Sequence, residues 1–157
     1  MNNNIKNKAM NLENENVPQS YRDFMTTTQK NQMISVRYGR RKTAKQSSTP
    51  RQDYTIYAYD MLTRKNDPDN AKSLMKYQYL SEAELDYKPL EGETEGISLE
   101  QIRKAFCFGS VDGGVVFFHP EDHSVWEIYY DLYICQTAKN FEQLIKQAKM
   151  QQTWELK

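Results

Sequence analysis

The sequence predicts a single α+β domain: a mostly antiparallel sheet, with N-terminal strands and a C-terminal three-stranded meander, backed by helices. Three observations lead there. The chain has 157 residues, a length that suits one core. Its 11 Tyr, 6 Phe and 2 Trp supply large buriable surfaces although only 38% of residues are apolar. Runs of period-two alternation joined by tight-turn residues fill the second half, and amphipathic helical stripes lie near each end. This composition excludes collagen, coiled coil and wholesale disorder. No apolar run approaches the roughly 18–20 residues of a membrane span. The opening MNNNIKNKAM lacks the apolar stretch of a signal peptide, and Cys107 and Cys135 are too few for a disulfide scaffold. A cytoplasmic protein is therefore expected, with no membrane partner.

Residues 1–16 hold seven asparagines and little apolar surface, so 1–12 is expected as a disordered tail and 13–157 as the domain. A helix begins at Val17-Pro18, where proline's missing N–H costs nothing. Tyr21, Phe24, Met25 and Thr28 form its apolar stripe. Residues 33–38 read as a strand, Gly39–Pro50 as an exposed basic loop, and 53–62 as a second strand rich in Tyr and β-branched residues. Asn66–Asn70 is a turn cluster, and Ser73–Leu80 fits a strand or a helix. Ser81 with Glu84 resembles a weak capping box, and an acidic loop through Gly92 and Gly96 follows.

Ser98 with Gln101 forms a capping box ahead of a short helix over 99–104. The strand AFCFGSV then runs into Asp112-Gly113-Gly114, a tight-turn signal. The unbroken apolar run of the return strand, 115–119, implies burial on both faces. After the turn at 119–124, Val125–Cys135 reads as one long strand. Trp126, Ile128, Tyr130, Leu132 and Ile134 share its core face, leaving Glu127, Tyr129, Asp131 and Tyr133 on an exposed one. A final helix opens at Asn140 with Gln143, its buried stripe being Phe141, Leu144, Ile145 and Ala148.

Charge is balanced, 21 basic against 21 acidic residues, but segregated. Lys30, Arg37, Arg40, Arg41, Lys42, Lys45 and Arg51 occur in a stretch without acids. Residues 105–138 contain no Lys or Arg but hold Asp112, Glu121, Asp122, Glu127 and Asp131. These five carboxylates, with Tyr129 and Tyr133, form the candidate partner-binding face: negative potential steers a basic partner, and aromatics anchor it. The basic stretch supports a competing reading, nucleic-acid binding through phosphate contacts with Tyr38 stacking, although the pI near 6.7 argues against it.

Catalytic chemistry finds no motif. His119 and His123 lie four apart, but Pro120 puts them in a turn, and the chain has no third histidine for a zinc set. A hydrolase built on this turn is the third, least supported reading. Cys107 and Cys135 sit in strands, where a thiol behaves as a small hydrophobe. Gly113-Gly114 leads into a strand and so is no phosphate-cradling loop. No enzyme activity, catalytic residue, metal or cofactor is expected.

The run FCFGSVDGGVVFFHPEDHSVWEIYYDLYICQTAKNFEQLIKQA resembles the C-terminal half of the SMI1/KNR4 (SUKH) superfamily domain. The resemblance rests on Gly109-Ser110, the Gly113-Gly114 turn, His119-Pro120 closing a strand, Ser124-Val125-Trp126-Glu127, and Asn140-Phe141-Glu142-Gln143-Leu144. The segment from Val17-Pro18 through Tyr21 to Phe24-Met25 is similar to the family's opening helix. Thr26–Asn31 lacks the glycine step usual there, and residues 40–96 match no part of the pattern. The resemblance implies an α+β domain with a binding role. Many bacterial members are immunity proteins that neutralise polymorphic or contact-dependent toxins, often nucleases, and eukaryotic relatives act as regulatory scaffolds. A cognate toxin protein is thus the expected partner.

Overall fold

The computed structural model of the chain describes residues 12, 15–27, 31–36, 52–57 and 89–154. The expected basic loop, the Asn66–Asn70 turn, the 73–80 element, the Ser81 box and the second half of the 53–62 strand lie outside them, as does the tail up to residue 11.

Helix α1 (Gln19–Met25) follows Pro18 directly and buries Tyr21 and Met25. Strands β1 (Asn31–Val36) and β2 (Gln52–Ile56) pair antiparallel, with Ile34 opposite Tyr54. A two-residue strand β3 (Glu91–Gly92) precedes a 3-10 turn at 94–96 and helix α2 (Leu99–Lys104). Both halves of the expected capping box form: the Ser98 hydroxyl accepts from the Gln101 N–H, and Gln101 Oε1 accepts from the Ser98 N–H. Then come β4 (Phe106–Val111), β5 (Gly114–Phe118), β6 (Val125–Tyr129), β7 (Tyr133–Ala138), α3 (Phe141–Gln147) and β8 (Ala148–Trp154). At the start of α3, Asn140 Oδ1 accepts from the Gln143 N–H at 2.8 Å, and Gln143 Oε1 accepts from the Lys139 N–H at 2.7 Å.

The strands make one sheet in the order β3-β7-β6-β5-β4-β2-β1-β8, antiparallel except for the β3–β7 pair. The architecture is therefore α+β with a mostly antiparallel sheet. Helices α1 and α3 cover one face through an aromatic cluster. The Tyr21 ring meets Phe118 at 5.1 Å, Phe141 at 5.4 Å and Phe108 at 5.5 Å, and Phe108 stacks on Phe118 at 4.2 Å. Each such pair adds about 0.5–1.5 kcal/mol beyond its area burial. The opposite face carries Trp126, whose indole lies against Gly96, and Ile97 and Ile102 are buried with it. With both faces covered, every residue of β5 and β6 is buried.

Two expectations about 125–135 are corrected. The segment is two strands, reversed at Tyr130-Asp131-Leu132, because Leu132 adopts a left-handed backbone (φ 68°) and its N–H bonds the Tyr129 carbonyl at 2.8 Å. The Asp131 side chain supports the turn by accepting from the Tyr133 N–H at 3.2 Å. Left-handed backbone costs a non-glycine residue roughly 1–2 kcal/mol. Leu132 is fully buried, and burying such a side chain returns about 1.5–3 kcal/mol, so the turn holds without glycine. The expected faces also fail. Glu127 is 0% and Tyr129 4% exposed, whereas Tyr130, expected in the core, is 50% exposed.

Candidate interaction surface

The meander places its turns alternately at the two ends of the sheet. The β4–β5 turn carries exposed Asp112, and the β6–β7 turn carries Tyr130 and exposed Asp131. These two turns touch: the Tyr130 N–H donates to the Gly113 carbonyl at 3.0 Å. Strand β3 runs along β7 beside them, with Glu91 opposite half-buried Tyr133 and its N–H on the Leu132 carbonyl at 3.0 Å. Glu93 continues this edge, its N–H donating to the Ile134 carbonyl at 2.8 Å while its carboxylate accepts from the Gln136 N–H. Tyr130 is the exposed large hydrophobic side chain among the described residues. It sits among carboxylates in a stretch, 105–138, that has no lysine or arginine.

Glu121 and Asp122 lie at the other end, on the β5–β6 turn, roughly 17 Å away for five strand residues at 3.3–3.4 Å each. They are not part of the same patch. This turn satisfies itself. The Glu121 N–H donates to His119 Nδ1 at 3.1 Å, which leaves Nε2 as the donor to the Gly96 carbonyl at 3.1 Å. Asp122 Oδ1 accepts from the Ser124 N–H at 2.9 Å and the Ser124 hydroxyl at 2.5 Å, and that hydroxyl accepts from Trp126 Nε1 at 2.8 Å. Partial burial works against ionisation of Asp122, but the Ser124 bonds, with the His119 ring, outweigh it and hold the carboxyl below its ordinary value. His123 also has a left-handed backbone (φ 60°), and its Nε2 lies 2.6 Å from Asn16 Oδ1. Burial first, and then the Arg22 charge, lower its pKa against the opposing pull of Asp122. Among the described residues, no group of three or more His, Cys, Asp or Glu could hold a metal ion. Both cysteines are buried free thiols.

Glu127 is the largest departure from the expected face. Its Oε1 accepts from the Tyr54 hydroxyl at 2.7 Å and the Thr137 hydroxyl at 2.8 Å, and its Oε2 accepts from the Tyr129 hydroxyl. A carboxylate can be buried when several donors replace its water shell. Burial, and next the Glu127 charge, push the Tyr54 phenol well above its ordinary pKa, so it stays a donor. The alternation that reads Glu127 as solvent-facing could not register a hydroxyl arriving from residue 54. Of the seven expected contact residues, Asp112, Asp131 and Tyr133 gather at one end. Glu121 and Asp122 form a separate turn, and Glu127 and Tyr129 belong to the interior. Tyr130, Glu91 and Glu93 complete the end and were not singled out as contacts from sequence. The acidic loop through Gly92 and Gly96 is the sequence signal for the two glutamates, and Tyr130 has none.

A groove of about 800 Å³ also opens between α1 and α3 over Phe24, Phe141 and Ile145. Its rim mixes Asp23 and Glu142 with Lys146, so it presents no single sign of charge. Among the described residues, no helix is long and apolar enough to cross a membrane. In comparisons with known proteins, no family model, curated protein or solved structure matches the chain.

Proposed function

We propose that this chain is a protein-binding module of the SMI1/KNR4 type. It neutralises a cognate bacterial toxin, such as a nuclease, by covering the toxin's basic substrate cleft, with no bond-making of its own. The observation that carries this reading is Tyr130, half exposed on a fixed turn and grouped with Asp112, Asp131 and Glu91 at one end of the sheet. Carboxylates there take the place of substrate phosphates, and an aromatic side chain with few rotatable bonds makes an anchor that loses little entropy on docking. The resemblance of its sequence motifs to that superfamily supports a toxin as the partner. The test is titration of the purified chain into the toxin domain encoded beside its gene. Charge reversal at Asp112 and Asp131 is expected to slow association and to flatten its fall with salt. Unchanged binding by Asp112→Lys/Asp131→Lys removes this end as the contact.

A further inference from the structure

The network around Glu127 joins parts of the sheet that neighbour contacts alone would not tie together. Tyr54 is on β2, and β4 and β5 separate it from β6, where Glu127 lies. Register explains how its phenol crosses. Tyr54, Val111, Gly114 and Tyr129 form one row across the sheet, and Ile56, Gly109, Val116, Glu127 and Cys135 form the next row on the same face, two residues along. The two intervening strands thus place a glycine in each row, leaving a trough for the ring. The backbone of the adjacent strand keeps both positions free of a side chain, since a Cβ on Gly109 would lie 2.2 Å from the Thr55 carbonyl oxygen, and one on Gly114 2.3 Å from that of Ile128.

Apolar burial specifies the register of β2 poorly. Tyr54 and Ile56 occupy one parity and Thr55 and Tyr57 the other, and Tyr54, Ile56 and Tyr57 are all buried. A slip of one residue would exchange one acceptable set for another. A buried carboxylate that needs a hydroxyl at one position discriminates between them, because the slipped pairing leaves it short of a donor. We infer that Glu127 is a register lock: through Tyr54 it fixes β2, and with it β1 and β8, against the β4–β7 meander. The lock acts in the folded sheet as a clasp on the β8-β1-β2 half.

Hydrogen exchange read residue by residue tests this. Tyr54→Phe keeps the ring and removes the clasp. Its amides in 31–36 and 52–57 are expected to exchange about tenfold faster or more, the loss of a hydrogen bond to a charged group, while those of 114–118 change less than twofold. Tyr129→Phe removes a donor from the same carboxylate without leaving β6, so β1 and β2 should then keep their protection relative to β5. Equal acceleration everywhere in Tyr54→Phe, or preferential loosening of β1 and β2 in Tyr129→Phe, overturns the lock. Should Tyr54→Phe fail to fold, Glu127→Gln is read at the same amides. It must loosen 31–36 and 52–57 more than 114–118, and a uniform change overturns the proposal equally.

Discussion

Replacing Glu127 with alanine removes the acceptor shared by the hydroxyls of Tyr54, Tyr129 and Thr137. Each hydroxyl left unsatisfied in the interior costs about 1–3 kcal/mol, and part of that is recovered where a hydroxyl turns to another partner. The void left by the side chain adds to the loss. Breaking a buried charged network of this kind typically costs about 3–5 kcal/mol. At about 2–4 °C per kcal/mol for a chain of this size, the melting temperature should fall by on the order of 10 °C. Glu127→Gln keeps the shape and one acceptor oxygen and should cost about 1–2 kcal/mol. Urea unfolding followed by fluorescence reports the change, because Trp126 is the adjacent residue on β6. A solvent-facing glutamate would give a change within about 0.5 kcal/mol. That result for Glu127→Ala would refute the buried network.

Three further outcomes are expected. Tyr130→Ala should leave stability within about 0.5 kcal/mol of the parent, since the ring is half exposed, while weakening the complex about thirtyfold or more; denaturation and calorimetric titration read the two effects separately. Leu132→Gly should be no more destabilising than Leu132→Ala: both lose the buried side chain at about 2–5 kcal/mol, but glycine alone is relieved of the left-handed backbone, so a larger loss for glycine in urea titrations would contradict the turn geometry. His123 should titrate below 6.5 by NMR, and Arg22→Gln should move its midpoint up. The folded chain binds that proton less readily than the unfolded one, so its contribution is complete above 6.5 and is lost as pH falls through the lower folded value.

Local chemistry was the most legible part of the sequence. The Ser98–Gln101 box, the Asn140 cap, the Gly113 turn and the Tyr21–Met25 stripe depend on residues within four positions of one another, and each forms as expected. The reversal at 130–132 escaped because Tyr-Asp-Leu has no glycine or proline, and the burial that stabilises Leu132 comes from the rest of the core. Burial of Glu127 escaped for the same reason, its donors coming from three strands, one of them 73 residues away. Strands β3 and β8 went unread because their sequences, Glu-Gly and AKMQQTW, carry no strand periodicity. They pair through backbone groups that neighbouring strands supply. For the candidate surface, the acidic bias of 105–138 is legible in the sequence. Alternating hairpin ends then divided it into an exposed end, a closed turn and an interior.

The most direct measurement compares two chains against the adjacent-gene toxin domain in stopped-flow association at low and physiological salt. One carries Asp112→Lys, Tyr130→Ala and Asp131→Lys together, and the other carries Glu127→Gln. The first should remain folded and lose at least a hundredfold in affinity, roughly 2.7 kcal/mol, with its association rate no longer falling steeply with salt. The second should bind like the parent despite its lower stability. Parental affinity in the triple variant would contradict docking through the acidic end of the sheet.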